Sequence, residues 1–151
     1  MYINNNLNHI TVIGFVGSKS VLAKSFVKKY NKKFIFKSYK GDIRDYKEIS
    51  LWLKKNIDIN IFINFAAITS PTICEKLNKK ALEVNYKSVV KLLVILDKIK
   101  MNNFYYFLSL SSCHVFKKSK YKLKESSQKQ PSSYYGFTKL KLENYIFKNE
   151  K

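Results

Sequence analysis

The apolar residues of this chain form two alternating kinds of pattern. Short, mostly apolar runs of strand length occupy residues 10–16, 33–37, 59–65 and 104–110. Between these runs, apolar side chains recur every three or four residues, which predicts helices over 21–30, 46–55 and 74–96, and a last helix is expected after Pro131. Strands that alternate with helices predict an α/β fold, in which a parallel sheet carries helices on both faces.

Length and composition limit the number of domains. The chain has 151 residues, of which 46% are hydrophobic, and this is enough for one domain with a buried core. A single domain over residues 1–151 is therefore expected.

The chain is strongly basic, with 29 Lys and Arg against 10 Asp and Glu and a net charge of +19. Such a charge is typical of proteins that bind nucleic acids or acidic membrane surfaces. The lysines, however, are scattered among Asn, Ile, Tyr and Phe along the whole chain, as AT-rich coding alone would produce. We therefore interpret the charge as a matter of composition, and nucleic-acid binding remains a remote alternative.

The cysteines and the lengths of the apolar segments bear on where in the cell the protein is found. Cys74 and Cys113 lack partners at metal-ligand spacing, so both are expected to be reduced packing residues. The first residues have no apolar core of signal-peptide length, and no run of about 18 apolar residues occurs. The sequence thus predicts a soluble, cytoplasmic protein that does not enter a membrane.

A turn of small residues follows the first strand and leads into the first helix. Backbone N–H groups at such a helix start hold phosphate groups, and small residues let a ligand approach closely. Two registers of a glycine fingerprint fit here. One uses Gly14, Gly17 and Ser20, and the other uses Gly17, Ser20 and Ala23. The second is preferred, because it places the apolar Val21 and Leu22 on the inward face of the helix.

The end of the second strand bears on the choice of dinucleotide. In a dinucleotide site this end faces the adenosine ribose, where an acidic residue binds a 2′-hydroxyl group. Lys37, Ser38 and Lys40 occur here in place of an acid. Basic and hydroxyl groups suit a 2′-phosphate, so the sequence favours NADP over NAD.

Two further stretches could contact a dinucleotide. Asp42 could accept a hydrogen bond from an adenine amino group while Ile43 covers the ring, although Asp42 could equally serve a turn or a helix start. Ala66 and Ala67 follow the third strand and leave room for a ligand at its carboxyl end, although they could also reflect tight packing alone.

The pair Tyr135 and Lys139 gives the chain a candidate chemistry. These residues are four apart beyond a helix start at Pro131 and two serines, so the phenol and the ammonium group share one helix face. A neighbouring cation favours the phenolate, so Lys139 is expected to lower the pKa of Tyr135 and prepare it for proton exchange with a substrate. Ser112 ends the fourth strand at the same edge of the sheet. A Tyr and a Lys four apart are also common on solvated helix faces.

Six pieces of sequence, spread in order over nearly the whole chain, form a familiar set. The pieces are 17–23 (GSKSVLA), 41–45 (GDIRD), 64–69 (NFAAIT), 74–76 with 81–85 (CEK and ALEVN), 110–116 (LSSCHVF) and 135–139 (YGFTK). Together they resemble the extended short-chain dehydrogenase/reductase family, also called the NAD-dependent epimerase/dehydratases, and within it the dTDP-4-dehydrorhamnose reductases and their relatives.

The resemblance implies a fold, a cofactor and residue roles. The fold would be a Rossmann-like, doubly wound parallel sheet, and the cofactor NADP or NAD. Tyr135 would be the general acid/base, Lys139 would hold the nicotinamide ribose, and Ser112 would bind the reacting carbonyl of a nucleotide-sugar. The residues that would bind the cofactor are Gly14, Gly17, Ser18, Ser20, Leu22, Asp42, Ile43, Ala66, Ala67 and Thr69.

The chain also departs from the family. Members continue beyond the Tyr/Lys helix with further strands and a lobe that grips the nucleotide-sugar, whereas this sequence stops at Lys151. The resemblance therefore implies either the amino-terminal part of an NAD(P)-dependent reductase, epimerase or dehydratase, or a non-catalytic dinucleotide-binding regulator. A bare sheet edge and uncovered apolar faces would make the part alone poorly stable or homo-oligomeric.

Overall fold

Four parallel strands and the helices that connect them make up the computed structural model, which describes residues 10–99, 101 and 103–149. The strands are β1 (Val12–Val16), β2 (Ile35–Tyr39), β3 (Ile61–Asn64) and β4 (Tyr106–Ser109). The helices are α1 (Val21–Tyr30), α2 (Tyr46–Lys54), α3 (Pro71–Lys76), α4 (Asn78–Leu82), α5 (Ser88–Lys98) and α6 (Tyr134–Lys148). A π-helical turn at Glu83–Lys87 joins α4 to α5, and a 3₁₀ turn at Cys113–Val115 follows β4.

The sheet order is β2-β1-β3-β4, and every neighbouring pair is parallel. From β1 the chain first moves to one side, to β2, and then returns past β1 to β3. The order therefore reverses between β1 and β3, and open α/β sheets bind ligands in the crevice at the carboxyl ends of such a pair of strands. The predicted Rossmann-like, doubly wound α/β fold is confirmed over the part that the structure describes.

Alternating strand residues build a separate core on each face of the sheet. Ile13 and Phe15 pack on one face with Ala23 of α1. The other face carries the larger core, in which strand residues meet α2, α5 and α6; it includes Val12, Val16, Ile49, Leu53, Phe62, Leu92 and Leu142. Helices thus cover both faces, as predicted. None of the described helices has both the length and the apolar character needed to cross a membrane.

Side-chain caps explain where several helices begin. The side chains of Ser20, Asp45 and Ser133 each accept a hydrogen bond from a backbone N–H three residues further on, at α1, α2 and α6. Such a cap satisfies a donor that the first helical turn leaves without a partner. The helix start that Pro131 and its serines predicted is therefore at Ser133.

Some boundaries and burials differ from the predictions. The helix predicted over 74–96 begins at Pro71, breaks at Leu77, which has non-helical backbone angles, and contains the π-helical turn. Apolar spacing does not reveal such breaks, since it continues across them. Val21 and Leu22, expected to face inward, are 81% and 53% exposed. Cys74 is buried, but Cys113 is exposed, so the prediction of a packing role was wrong for Cys113.

The β4 edge of the sheet is apolar and open. β4 pairs with β3 on one side only, within the described part of the chain. Tyr106 and Leu108 are 56% and 50% exposed, and the neighbouring Tyr105 and Leu110 are exposed as well. An uncovered apolar edge favours association with other polypeptide, which agrees with the sequence-based expectation of an uncovered sheet.

Candidate active site

Gly17 and Ala66 meet where the strand order reverses. Gly17 follows β1 with φ +81°, a backbone angle that side chains other than glycine rarely tolerate. A Cβ atom on Gly17 would lie 2.5 Å from the Ala66 backbone nitrogen. The turn after β1 therefore touches the loop after β3 directly, and only glycine permits this approach.

The start of α1 forms one wall of this crevice. The Ser20 hydroxyl accepts from the Ala23 backbone N–H at 3.1 Å, and Ala23 is fully buried against the sheet. Ser18 is half-buried, whereas Leu22 presents an exposed side chain in the first turn. The exposure of Leu22, unexpected for a core position, makes it accessible to a ligand at this helix start.

The structure does not bring Gly14 to the crevice. Gly14 lies in the middle of β1, and a Cβ atom there would come within 2.5 Å of the Ile59 side chain. Its lack of a side chain thus serves packing between β1 and Ile59. The geometry favours the fingerprint register that starts at Gly17, because Gly17 is at the strand end and Ala23 is buried at the third position.

Of the three groups expected to recognise a 2′-phosphate, one is paired with an acid and one is buried. The ammonium group of Lys37 contacts both carboxylate oxygens of Asp58 at 2.8 Å, and Asp58 precedes β3 at the opposite, amino-terminal edge of the sheet. The Ser38 hydroxyl is buried and has no hydrogen-bond partner among the described residues. Of the three, Lys40 alone is exposed just beyond the carboxyl end of β2.

Asp42 follows β2 and pairs with Arg44. Its carboxylate accepts from the Arg44 backbone N–H at 2.9 Å and from the guanidinium group at 2.6 to 3.1 Å. These hydrogen bonds lower the pKa of Asp42 to about 2. The carboxylate thus stabilises a turn, which was one of the two roles that the sequence allowed for Asp42. Its exposed position also keeps it available to a ligand. Ile43 is 5% exposed in the main core and offers a ligand little surface.

The loop after β3 is held by two buried asparagines. Asn64 accepts from the Ala66 backbone N–H at 3.0 Å, and Asn85 binds both the N–H and the C=O of Ile68, at 2.8 and 3.0 Å. Ala66 and Ala67 are half-buried within this loop, and Thr69 is exposed at its end. Buried hydrogen bonds therefore hold the shape of the loop beside Gly17.

Tyr135 and Lys139 lie together in the first turns of α6. Both are buried, at 7% and 4% exposure, and the Lys139 ammonium group is 5.9 Å from the centre of the Tyr135 ring. Lys139 Nζ donates a hydrogen bond to the Leu110 carbonyl at 2.8 Å, just before Ser112. The structure thus places the amine next to the phenol and ties it to the loop after β4 that carries Ser112.

Burial dominates the electrostatics of this pair. Desolvation raises the pKa of Tyr135, and the neighbouring Ser112 hydroxyl acts in the opposite direction. Burial also lowers the pKa of Lys139 to about 8. The expectation that Lys139 lowers the pKa of Tyr135 is therefore not met here. No lowering by Lys139 offsets the desolvation of the phenol.

Sequence reasoning assigned no role to the side chain of Asn85, which joins the site together. Besides Ile68, its amide donates to Thr138 Oγ1 at 3.1 Å, and Thr138 in turn donates to the Tyr135 carbonyl at 2.7 Å. The loop after β3 and the helix of Tyr135 are thereby linked through buried hydrogen bonds. The sequence did carry a signal, because Asn85 lies at an apolar-face position, four residues after Ala81 and four before Val89.

Gly136 and Glu75 were also missed as positioning residues. A Cβ atom on Gly136 would lie 2.2 Å from the His114 carbonyl oxygen, so α6 approaches the loop after Ser112 as closely as its backbone allows. Glu75 of α3 accepts from the Tyr134 backbone N–H at 2.6 Å. Gly136 could have been noticed in the sequence, because it is a glycine within a predicted helix, directly after a candidate catalytic tyrosine.

Comparisons with known proteins agree with this architecture. The sequence model of the NAD dependent epimerase/dehydratase family matches residues 8–150. A search of curated proteins found no match. Among solved structures, a hypothetical dTDP-4-dehydrorhamnose reductase from Sulfolobus tokodaii is 22% identical with a TM-score of 0.77, covering 91% of this chain and 52% of its own.

Two further structures show the same half-length match. The dTDP-4-dehydrorhamnose reductase of Bacillus anthracis in complex with NADP is 16% identical, has a TM-score of 0.80 and covers 94% of this chain and 51% of its own. The UDP-Glc/GlcNAc 4-epimerase of Campylobacter jejuni is 14% identical, has a TM-score of 0.79 and covers 91% and 48%. This chain spans about half the length of these proteins, whose likeness extends to the fold. On the family match over nearly all of its residues, the chain belongs to the NAD dependent epimerase/dehydratase family.

Proposed function

We propose that this chain binds NAD(P) and supplies the proton-transfer groups of an oxidoreductase, epimerase or dehydratase that acts on a nucleotide-sugar. Family membership supports the cofactor class, and the matched structures include nucleotide-sugar enzymes. The observation that carries the proposal is that the Gly17 crevice and the Ser112 loop, to which Lys139 is bonded beside Tyr135, follow parallel strands at the same edge of the sheet.

Three features of the crevice suit a dinucleotide. Gly17 lets the turn after β1 pack directly against the Ala66 backbone, Ala66 and Ala67 add little bulk there, and the first N–H groups of α1 favour a pyrophosphate. Gly17, Ser18, Ser20 and Leu22 would line the pyrophosphate. Ala66, Ala67 and Thr69 would line the adjoining ribose and phosphate, and Asp42 would contact the adenine, with little added by the buried Ile43. Gly14 is omitted, because it packs within β1.

Each residue of the pair near Ser112 has a distinct chemical part. A bound nicotinamide dinucleotide accepts or donates hydride. The Tyr135 hydroxyl gives a proton to the substrate oxygen or takes one from it, and Ser112 holds that oxygen by a hydrogen bond. Lys139 uses one N–H on the Leu110 carbonyl and keeps its others for the ribose and for charge near the phenol. Burial of Tyr135 excludes water from the proton transfer.

The choice between NADP and NAD depends on Lys40. Lys37 is paired with Asp58 and the Ser38 hydroxyl is buried, so the proposed preference for NADP relies on one exposed ammonium group beyond β2. We expect NADPH to bind more tightly than NADH, and Lys40→Gln to remove most of the difference.

Fluorescence titration with NADPH and with NADH tests the proposal. Leu22→Asp places a negative charge where the pyrophosphate would lie, so we expect at least about tenfold weaker NADPH binding. Leu51→Asp is the control, since Leu51 is exposed to a similar degree, 44% against 53%, on the outer side of α2. Failure of the wild-type chain to bind either cofactor would rule the proposal out.

A non-catalytic, dinucleotide-sensing role is the second candidate. The raised pKa of Tyr135 favours it, since a phenol that holds its proton tightly is a poor proton donor and is seldom ionised to act as a base. In the full gene product, Tyr135→Phe should abolish NADPH oxidation with a 4-keto nucleotide-sugar and leave NADPH affinity within about twofold. Turnover absent from wild type and variant alike, with NADPH binding intact in both, would instead support the sensing role.

A further inference from the structure

A cluster of lysines lies directly beside Ser112 and Tyr135. Residues 117–129 contain six lysines and only one acid, Glu125. The lysines are Lys117, Lys118, Lys120, Lys122, Lys124 and Lys129. This segment, which we call the lysine loop, leaves the 3₁₀ turn after Ser112 and returns to the start of α6. It is thus joined at both ends to the residues that carry the proposed chemistry.

Backbone pairing gives the lysine loop a definite shape. Phe116 and Lys129 form an antiparallel bridge at its base, and the Lys117 N–H donates to the Gln128 carbonyl at 2.9 Å. Near its tip the Lys124 N–H donates to Ser127 Oγ, and the Ser127 N–H donates to the Lys124 carbonyl, both at 2.9 Å. The loop therefore holds its side chains in fixed directions at its base.

The lysine loop borders a cavity of about 470 Å³ that is open to solvent. Its lining combines cationic, hydroxyl and apolar groups and contains no carboxylate among the described residues: Cys113, His114, Phe116, Lys117, Lys118, Ser119, Lys120, Leu123 and Ser132. Cavities of this size hold small ligands, which are commonly oriented by a few polar groups on apolar walls. The cavity can thus hold a sugar together with an attached anionic group.

The charges of this cavity are not neutralised by nearby acids. None of Lys117, Lys118 and Lys120 forms a salt bridge in the part of the chain that the structure describes. Three ammonium groups within four residues repel one another, and a bound anion removes this repulsion. An anion from outside the chain would therefore complete the cavity.

His114 connects the cavity to the reactive phenol. Its imidazole lines the cavity, and its ring meets the Tyr135 ring edge-on at 5.6 Å between centres. Ser132 lines the cavity three residues before Tyr135. A ligand whose reacting carbon sits at Ser112 and Tyr135 can therefore extend its other end among the lysines.

We propose that the lysine-loop cavity binds the phosphate or diphosphate group of the substrate. This deepens the proposed function, on which it rests, because it places the recognition of a charged sugar derivative within this chain. The lysines act as donors and cations to the phosphate oxygens, and Phe116 and Leu123 provide apolar walls. Ligands with a free or an esterified phosphate share this chemistry.

Equilibrium binding with four probes tests this site: inorganic pyrophosphate, glucose 1-phosphate, UDP-glucose and uncharged glucose. The test variant is Lys117→Gln/Lys118→Gln/Lys120→Gln. The control is Lys28→Gln/Lys32→Gln/Lys54→Gln, which makes the same charge change at exposed positions on or next to α1 and α2. We expect the test variant to bind the phosphorylated probes about tenfold more weakly, and the control to stay within about twofold. Glucose should not bind measurably.

Each other outcome overturns the proposal. Equal weakening in both variants would assign the binding to overall charge, and unchanged binding in both would place the probe elsewhere, for instance at the start of α1. Binding of glucose as strong as that of glucose 1-phosphate would exclude an anion site, as would binding of none of the probes. If a single-stranded oligonucleotide binds and needs these lysines to do so, while pyrophosphate does not bind, the lysine loop would be a nucleic-acid-binding surface. NADPH titrated in parallel reports on the cofactor site alone, so loss of NADPH binding with retained pyrophosphate binding distinguishes failure of the proposed function from failure of this site.

Discussion

The contact between Gly136 and the loop after Ser112 leads to a prediction whose sign is opposite to that of helix propensity. Alanine in place of glycine inside a helix normally gains about 1 kcal/mol. At position 136 the new Cβ atom would lie 2.2 Å from the His114 carbonyl oxygen and 2.9 Å from its carbon. Ordinary carbon–oxygen contacts begin at about 3.3 Å. Because the opposing atoms belong to the backbone, α6 or the loop must move by roughly 1 Å, which costs about 1–3 kcal/mol.

We therefore expect Gly136→Ala to lower the free energy of unfolding by up to about 2 kcal/mol, measured by urea denaturation followed by circular dichroism. Asn144→Ala is the matched control on the exposed side of α6, where the gain in propensity, about 0.5 kcal/mol, meets no obstacle. A displacement of about 1 Å between Ser112 and Tyr135 should also reduce turnover of the full gene product by roughly 100-fold. If Gly136→Ala is as stabilising as Asn144→Ala, the close contact does not exist in solution and the prediction is wrong.

Three further predictions follow from buried polar groups. Asn85→Ala removes two hydrogen bonds to Ile68 and one to Thr138, so it should lower the free energy of unfolding by about 2–4 kcal/mol in urea denaturation. A decrease below about 0.5 kcal/mol would show that these hydrogen bonds do not hold the loop after β3. Ser38→Ala removes a buried hydroxyl that lacks a partner among the described residues and should leave stability equal or raise it by up to about 1 kcal/mol, whereas a clear loss would reveal a partner. The pKa of Lys139 is lowered to about 8 from the ordinary 10.5, so from about pH 8 to 10 the unfolded chain binds more protons than the native state, and the stability of wild type relative to Lys139→Met should rise by roughly 2–3 kcal/mol. Unfolding curves at several pH values check this, and a difference that is flat or falls with pH would mean that Lys139 is not desolvated.

The positions of the strands could be predicted from the sequence because apolar runs in a parallel sheet are nearly continuous. All four runs became strands, with β2 shifted by two residues at each end. The crevice could be anticipated as well, because small residues directly after two strands, here Gly17 and Ala66, are typical of a sheet edge that a ligand approaches closely. What could not be read was the division of the long segment after β3 into α3, α4, the π-helical turn and α5, since its apolar spacing is the same on both sides of each break.

Long-range polar contacts account for the remaining differences at the candidate site. Lys37 stands close in sequence to the proposed ribose region, yet its ammonium group turns to Asp58, 21 residues further on. Nothing local to Lys37 announces that partner. The pKa of Tyr135 was misjudged for a similar reason. The i, i+4 spacing correctly predicts that Lys139 is a neighbour, but the sign of the shift depends on burial by α3, α4 and the loop after β4, which are distant in sequence.

The strands and helices that the structure describes are enough to position the candidate groups. The arrangement of the site can therefore be considered separately from the stability of the chain. Gly17, Ala66, Ser112 and Tyr135 are positioned by β1, β3, β4 and α6, and buried hydrogen bonds through Asn85 join two of these parts. The exposed apolar edge of β4 lies outside this network of hydrogen bonds. Polypeptide that covers this edge should therefore change the free energy of unfolding more than it changes the arrangement of the site. A ligand that binds only the folded chain adds stability in proportion to the logarithm of its concentration over its dissociation constant. NADPH should therefore raise the unfolding temperature of the chain even though it does not touch the β4 edge, and it should do so less for Leu22→Asp than for Leu51→Asp.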